Sequence, residues 1–580
     1  MMSVKAKWSR WLLTAVALGC AAPALAQQAP AAQPSESAMA NLVRLLVEQG
    51  VITKDKGAAL LLQAETEAAQ ARAAKPQQNA ELPPPAQGTI RVPYVPETVR
   101  AQIKEELKAE VLQQARAESW ASPGEGAPEW TKRITLHGDV RVRSQSEFYS
   151  KANSNLIPDF ARINGNGPTD VFNDPIPFLN SRIDKEGQLR LRARLGAKAQ
   201  FGSAVEAGIM LATGDDNGPI STNAALAGGF GKRDIWLQEA YIKARPTGWS
   251  EVSLGRFENP FTSTDLLFDS DLSFDGLAAE VNFGKLLGDD FDLSIRGGAF
   301  PLDFGDRNYP STDTVKRDFP EKYLFSAQVE AGAKLGGVDV RLAGAYHSFT
   351  NVQGQLSDTC LLYAGAAECS TDGLRPFFLR KGNTLSPLRR IAADPGLAPG
   401  AIQPQPQFFG LAFDYDILNV NASVTFPVAD DISVRLVGDY VRNLSFKRSD
   451  ICRNGLLGQP FNNGGSDGDG NICSATNPTS FVGGNQGYQA LAVIGHPDPR
   501  KIGQWSAEFG YRYLESDAVL DSLTDSDFHL GGTNAKGYFV GGKYGVYDGV
   551  TLGARWMSAN EISGEPFAID VLQIDLTAAF

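Results

Sequence analysis

Ile134-Thr-Leu-His-Gly-Asp-Val-Arg-Val-Arg143 alternates without a break. Ile134, Leu136, Gly138, Val140 and Val142 fall on one side of an extended chain, and Thr135, His137, Asp139, Arg141 and Arg143 on the other. Successive strand side chains point to opposite faces, so this segment has one apolar and one charged face. Leu189, Leu191, Ala193, Leu195, Ala197 and Ala199 repeat the pattern against Arg190, Arg192 and Arg194. It returns around Ile295 with Arg296, Val340 with Arg341, Val434 with Arg435, Tyr511 with Arg512 and Ala554 with Arg555. A soluble sandwich also alternates, but its strands seldom hold the pattern so long, and it turns its charges outward. The runs predict an all-β membrane protein, an antiparallel transmembrane β-barrel of about sixteen strands, with apolar residues toward lipid and charges toward a wet lumen.

The bulk numbers agree with that reading without selecting it. Mean hydropathy is -0.20, which a barrel shares with soluble proteins because every second strand residue faces water. No stretch of 18 consecutive apolar residues follows the N-terminus, so helical spans are excluded. A formal charge of -12 makes nucleic acid a poor partner.

Upstream of the alternation the composition changes twice. Lys5, Lys7 and Arg10 precede the apolar run Trp11 to Ala22 and the small-residue site Ala24-Leu25-Ala26. Residues 1–26 are therefore expected to be a cleaved signal peptide; a lipoprotein signal using Cys20 fits only partly, because Leu18 stands one place late. Residues 27–129 form the expected periplasmic helical extension. Helices are predicted over about 37–75 and 97–118, joined by a linker with Pro83, Pro84, Pro85, Pro93 and Pro96. Residues 130–580 are the predicted barrel. Its connections alternate between short turns, such as Gly336-Gly337 and Pro427 to Asp430, and long loops near 150–185, 215–233, 302–321, 350–411, 446–485 and 516–535. Short turns on one side and long loops on the other is the outer-membrane arrangement, with the helices and Phe580 on the periplasmic side.

Five cysteines are present. Cys20 leaves with the signal, and Cys360/Cys369 and Cys452/Cys473 are expected to form disulfides, each inside one loop. Between the second pair, Asn462 to Asn471 is rich in Asp, Asn and Gly. Calcium could use such oxygens, but no Glu stands at the EF-hand spacing, so a flexible disulfide-closed loop is the better reading. No metal and no cofactor are called for.

The final strand sets Leu572, Ile574, Leu576, Ala578 and Phe580 against Gln573, Asp575 and Thr577. This ending resembles the signal read by the barrel-assembly machinery. Trp130 to Arg143, Leu254-Gly-Arg256, Gly510-Tyr-Arg-Tyr513, the end from 502, and the leader segment Asn41 to Thr53 together resemble the bacterial putative porin family of Gram-negative outer membranes. The resemblance covers most of the mature chain and rests on the order and spacing of weak motifs. It implies a porin: a passive outer-membrane channel for small hydrophilic solutes or ions, seated in outer-membrane lipid. It leaves the solute, the ion preference and the choice of monomer or homotrimer open.

In general porins the third extracellular loop folds into the lumen. The corresponding segment runs from about 259 to 273 and carries Asp265, Asp269 and Asp271, followed by Asp275. Leu266, Leu267 and Phe268 are expected to anchor it. Opposite it, Arg141, Arg143, Arg190, Arg192 and Arg194 predict a basic ladder, and Arg296, Arg341, Arg435, Arg512 and Arg555 complete the expected pore lining. Acids facing arginines would set a transverse field across the throat. The plainer alternative is that the arginines pair with Asp139, Glu206, Glu280 and Glu330 and fill space.

Two other functions compete with a channel. Catalysis is not expected: His137, His347, His496 and His529 lie apart, with no GxSxG motif beside them. A structural anchor, with the helices tethering or assembling envelope components, is the stronger alternative. No globular plug-sized segment precedes the barrel, which argues against an active transporter.

Overall fold

The computed structural model describes residues 131–580 apart from 215–217, 285–287, 289, 306–318, 430, 449–450, 452–460 and 464–480. The signal peptide, the helical extension, the Pro-rich linker, Cys452, Cys473 and most of 462–471 lie outside the described residues.

Sixteen long strands form one closed sheet among the described residues. In chain order they are β1 (Ile134–Tyr149), β2 (Lys185–Phe201), β3 (Val205–Thr213), β4 (Ile235–Thr247), β5 (Ser250–Glu258), β6 (Ser273–Asn282), β7 (Phe291–Asp303) and β8 (Lys322–Leu335). β9 (Val338–Thr350), β10 (Tyr415–Ala429), β11 (Ile432–Asn443), β12 (Gln486–Gly495), β13 (Trp505–Leu514), β14 (Ala535–Tyr547), β15 (Val550–Glu561) and β16 (Ile569–Ala579) complete it. Each is antiparallel to its chain neighbours, and β1 pairs with both β2 and β16 to close the ring. At the seam Phe580 and Gly138 exchange two backbone hydrogen bonds of 3.0 Å.

The distribution of side chains is inside out. Leu136, Leu195 and Phe509 are 65 %, 54 % and 56 % exposed, while Arg143 and Glu147 are 5 % and 2 % exposed. This is the alternation expected from the sequence, with its apolar face turned away from the protein. Such a surface is stable only against hydrocarbon.

Seven short turns join β2–β3, β4–β5, β6–β7, β8–β9, β10–β11, β12–β13 and β14–β15 on the side where β1 starts and β16 ends. The β8–β9 turn is two glycines, both at positive φ, the backbone a tight hairpin demands. Pro427, expected in a turn, instead lies in β10, beside a register shift near the strand's end. A proline without a donor is tolerated at such a bulge. The opposite side carries L1 (150–184), L2 (214–234), L3 (259–272), L4 (304–321), L5 (351–414), L6 (444–485), L7 (515–534) and L8 (562–568). Cys360 and Cys369 form the expected disulfide within L5.

The loops do not simply stand above the barrel. Phe160 on a short L1 helix (Phe160–Asn166) stacks edge-on with Phe409 of L5, and Phe409 with Phe461 of L6. Leu266, Leu267 and Phe268 of L3 are buried in the same continuous cluster. A sixteen-stranded wall encloses more space than its own side chains fill, and here inward-folded loops occupy much of it.

The route L3 takes inward is visible in the register. β5 and β6 stay paired up to Glu258–Ser273. Their ladders to the flanking strands stop earlier, at Ala240–Arg256 with β4 and at Leu277–Ala299 with β7. Beside both stops lies the facing pair Gly255–Gly276, with φ of 118° and 143°. A Cβ on either would sit 2.3 Å from a carbonyl oxygen, of Ala240 or Ala299. These two glycines let the upper hairpin leave the wall and carry L3 into the lumen. Gly276→Val is therefore expected to destabilise the barrel by about 1–3 kcal/mol, measured as a lower urea midpoint in refolded vesicles; an unchanged midpoint would show that the bend does not depend on glycine.

Candidate functional site

The five arginines of the expected ladder stand on two adjacent strands. β1 and β2 are adjacent, and their register sets Arg141 directly opposite Arg192 and Arg143 directly opposite Arg190. Like charges facing across a ladder repel, so each needs acids. Asp139 accepts from Arg192 at 2.9 Å and from Arg194 at 2.6 Å. Glu147 lies 3.7 Å from Arg190. Arg143 donates twice to Asp575, at 2.8 and 3.0 Å, and once to Asp527 of L7, at 2.8 Å.

L3 crosses the lumen to meet this face. Its near end is fixed to the far wall: the Thr262 hydroxyl donates to Glu330 at 2.5 Å, and the Thr264 amide and hydroxyl both donate to Asp439, at 3.0 and 2.7 Å. Its underside is the predicted apolar anchor. Phe261 and Phe268 pack edge-on against His347, at 5.3 and 5.2 Å, and Phe268 against Phe274 at 5.1 Å. His347 points inward as expected but is fully buried beneath the loop. At the far end, Asp271 lies 3.5 Å from Arg192 and 3.9 Å from Arg194, and accepts from the Thr222 hydroxyl of L2 at 2.9 Å.

A second acidic loop, not anticipated from the sequence, completes the site. L7 runs alongside L3 and is joined to it by main-chain bonds: the Asp269 amide donates to the Leu523 carbonyl at 2.8 Å, and the Asp525 amide to the Asp265 carbonyl at 3.1 Å. The Ser526 amide donates to the Asp269 carboxylate at 2.7 Å. Asp525 of L7 pairs with Arg512 at 2.8 Å. Both loops carry the tripeptide Asp-Ser-Asp, at 269–271 and 525–527. That repetition is the signal by which L7 could have been found.

The remaining expected site residues divide by role. Arg296 bridges Glu330 (2.5 Å) and Glu280 (3.3 Å), Arg341 reaches Glu330 (3.3 Å), and Arg555 reaches Glu508 (3.2 Å). For these the space-filling pairing with lumenal acids is what the geometry contains. Glu206 takes bonds from Gln200 and Tyr241 and lies 3.9 Å from Arg245, an arginine outside the expected set. Arg435 is exposed on the inward face of β11, and among the described residues neither it nor Arg141 has a carboxylate partner. Asp275 corrects the expected acid set. It lies in β6, outside L3, on the face of the outward Leu277, and pairs with Arg256 at 2.8 Å.

The L3 and L7 face, Arg141, Arg143 and Arg192 of the ladder, Arg435, Arg512 and Arg555 together line a cavity of about 560 Å³. Burial, reinforced by the Asp525 carboxylate, pushes Asp265 up and Asp269 well above the usual carboxylate range. Burial also raises Asp517 to about 6 and Asp521 to about 7. Asp527 moves the other way: burial acts upward on it, but Arg143 outweighs that and holds it low. A raised carboxyl holds its proton in the folded state at pH values where the unfolded chain has released it. Stability thus falls as pH climbs from near 4 through about 7, while the Asp527 contribution is lost only in stronger acid. His529, held neutral by burial beside Lys381, acts in the opposite sense below its ordinary pKa, so the test is a difference: the thermal midpoint of D265N/D269N relative to the unaltered chain is expected to rise between about pH 4 and pH 7, and a difference that does not change with pH would place the titration elsewhere.

Comparison with known proteins gives one decisive match. The family model described as Putative porin matches residues 36–580. No curated protein matches the chain. Among solved structures, the outer membrane channel DcaP of Acinetobacter baumannii is 9 % identical, with a TM-score of 0.35, covering 77 % of this chain and 97 % of its own. OmpF of Salmonella typhi, solved with daunomycin, is 10 % identical at a TM-score of 0.36, covering 77 % and 97 %. OprB of Pseudomonas putida is 11 % identical at 0.38, covering 78 % and 95 %. A family match across nearly the whole chain, on a closed barrel with an apolar exterior, makes this an outer-membrane porin, and the chain belongs to the Putative porin family.

Proposed function

We propose that the protein is a diffusion channel for small hydrophilic solutes whose throat is the gap between the β1–β2 arginine face and the joined loops L3 and L7. One observation carries this: Asp271 of L3 and Asp527 of L7 both reach the ladder, at Arg192 and Arg143. Acids on one side and guanidinium groups on the other create a field across the passage, strong because the walls exclude water. Arginine suits this because it stays charged and offers a planar fork to carboxylate or phosphate groups. Arg141 and Arg435, without carboxylate partners among the described residues, would meet a passing anion first.

The same proposal takes residues 1–26 as a cleaved signal, 27–129 as a periplasmic helical extension, and the strand ending at Phe580 as the segment read by the barrel-assembly machinery. A homotrimer fits a family of this architecture as well as a monomer does. Arg296 and Arg341 serve chiefly as braces beneath L3 through Glu330.

Stepwise ohmic conductance of the refolded full chain in a planar bilayer is the expected result. Under a salt gradient, R190Q/R192Q/R194Q should move the reversal potential toward cation preference. An unmoved potential would leave those arginines as space-filling partners of Asp139, Glu147 and Asp271, and a folded barrel without conductance would overturn the channel.

A further inference from the structure

Where the β5–β6 hairpin leaves the wall, it leaves a slit. Among the described residues no strand pairs with β4 above Ala240 on that side, nor with β7 above Ala299. The two facing edges, Trp236 to Gln238 of β4 and Phe300 to Asp303 of β7, bound a cavity of about 600 Å³. Its mouth carries residues of the outward face: Leu237 (51 % exposed), Leu302 and the Arg256–Asp275 pair, with Trp236 beside them. Its floor is Phe274, Phe300, Leu324 and Leu520, buried inside the barrel. One space therefore runs from the lipid-facing surface to the loop-filled interior.

We infer that this slit is a binding site for a single-chain amphiphile: an alkyl chain along the Phe274–Phe300–Leu324 floor, with its polar head at Arg256 and Asp275. The size lies within the about 300–1,000 Å³ of small-molecule sites. The lining suits the ligand at both ends. Ion-paired side chains stand near the long-loop ends of β5 and β6, at the level of lipid headgroups, while Trp236, paired with the buried Ala212, lines the slit from the inner face. Unpaired strand edges are costly in hydrocarbon. The Arg256 guanidinium already covers one such group, donating to the Gln238 carbonyl at 2.9 Å. A bound head group would shield others, and a chain would replace water on the apolar floor. The charges at the mouth are paired, so the site selects for chain and amphipathic shape before it selects for head-group charge.

The test uses the full chain in lipid nanodiscs and 11-(dansylamino)undecanoic acid as probe. The expected result is saturable binding, competed by dodecanoate, with energy transfer to the dansyl group that falls when Trp236 is replaced by Phe. Val352→Trp and Ser522→Trp project into the slit from L5 and L7; each is expected to weaken binding about tenfold or more with bilayer conductance retained. Absence of saturable binding overturns the inference, as does binding that survives both fillings or energy transfer indifferent to Trp236. Binding that appears only after an oligomer is dissociated would also overturn it, because a second copy would then cover the slit. Since conductance is read separately, a conducting protein that ignores the probe rejects the amphiphile site and leaves the channel standing.

Discussion

Hydrocarbon offers no hydrogen bonds, so every main-chain N–H and C=O that crosses it must find its partner within the protein. That constraint dictates closure, and closure dictates most of the remaining architecture. β1 pairs with β2 on one side and β16 on the other, and Phe580 bonds back to Gly138 where the ring closes. Once the ring is closed, its outer face must be apolar, and the polar half of each strand is driven inward. The crowding of arginines in the lumen is thus a by-product of strand pairing before it is a device for sorting solutes.

Crowding makes wall and loops depend on one another. Arg141 beside Arg192, and Arg143 beside Arg190, would be poor neighbours alone. Carboxylates from three places relieve them: the wall itself (Asp139, Asp575), L3 (Asp271) and L7 (Asp527). Conversely, L3 and L7 set several acids close together, which is tolerable beside guanidinium groups and through retained protons. Such buried pairs add little net stability. What they add is position, because an unpaired charge in this interior costs more than any alternative seat for the loop. The aromatic floor of Phe261, Phe268 and His347 supplies the remaining attraction without charge.

The features legible in the sequence are the local ones. Period-two alternation is local, so the strands, their inward arginines and the loop rhythm could be read directly. L3 was legible because three acids and an apolar triplet stand close together in sequence. L7 was not, since its acids acquire meaning only beside L3, and that contact is set by barrel closure rather than by neighbouring residues. Asp275 reads with L3 because it stands only four residues beyond Asp271 and next to Gly276, where a strand start shows only once the pairing with β5 is known. The facing glycines Gly255 and Gly276 were equally silent, for a bend shared by two strands shows only in register.

The join between L3 and L7 also orders events in time. Ser526 bonds to Asp269 across 257 positions of chain, and contacts between such distant segments form late because their closure entropy must be met first. β13 and β14 must be in place before L7 can hold L3 down. During insertion the nascent cylinder would therefore pass through a stage with its wall complete and its throat still unformed. The last hairpins seal the sheet first and L7 then sets the gauge of the hole, so an immature barrel is a leak that maturation itself repairs.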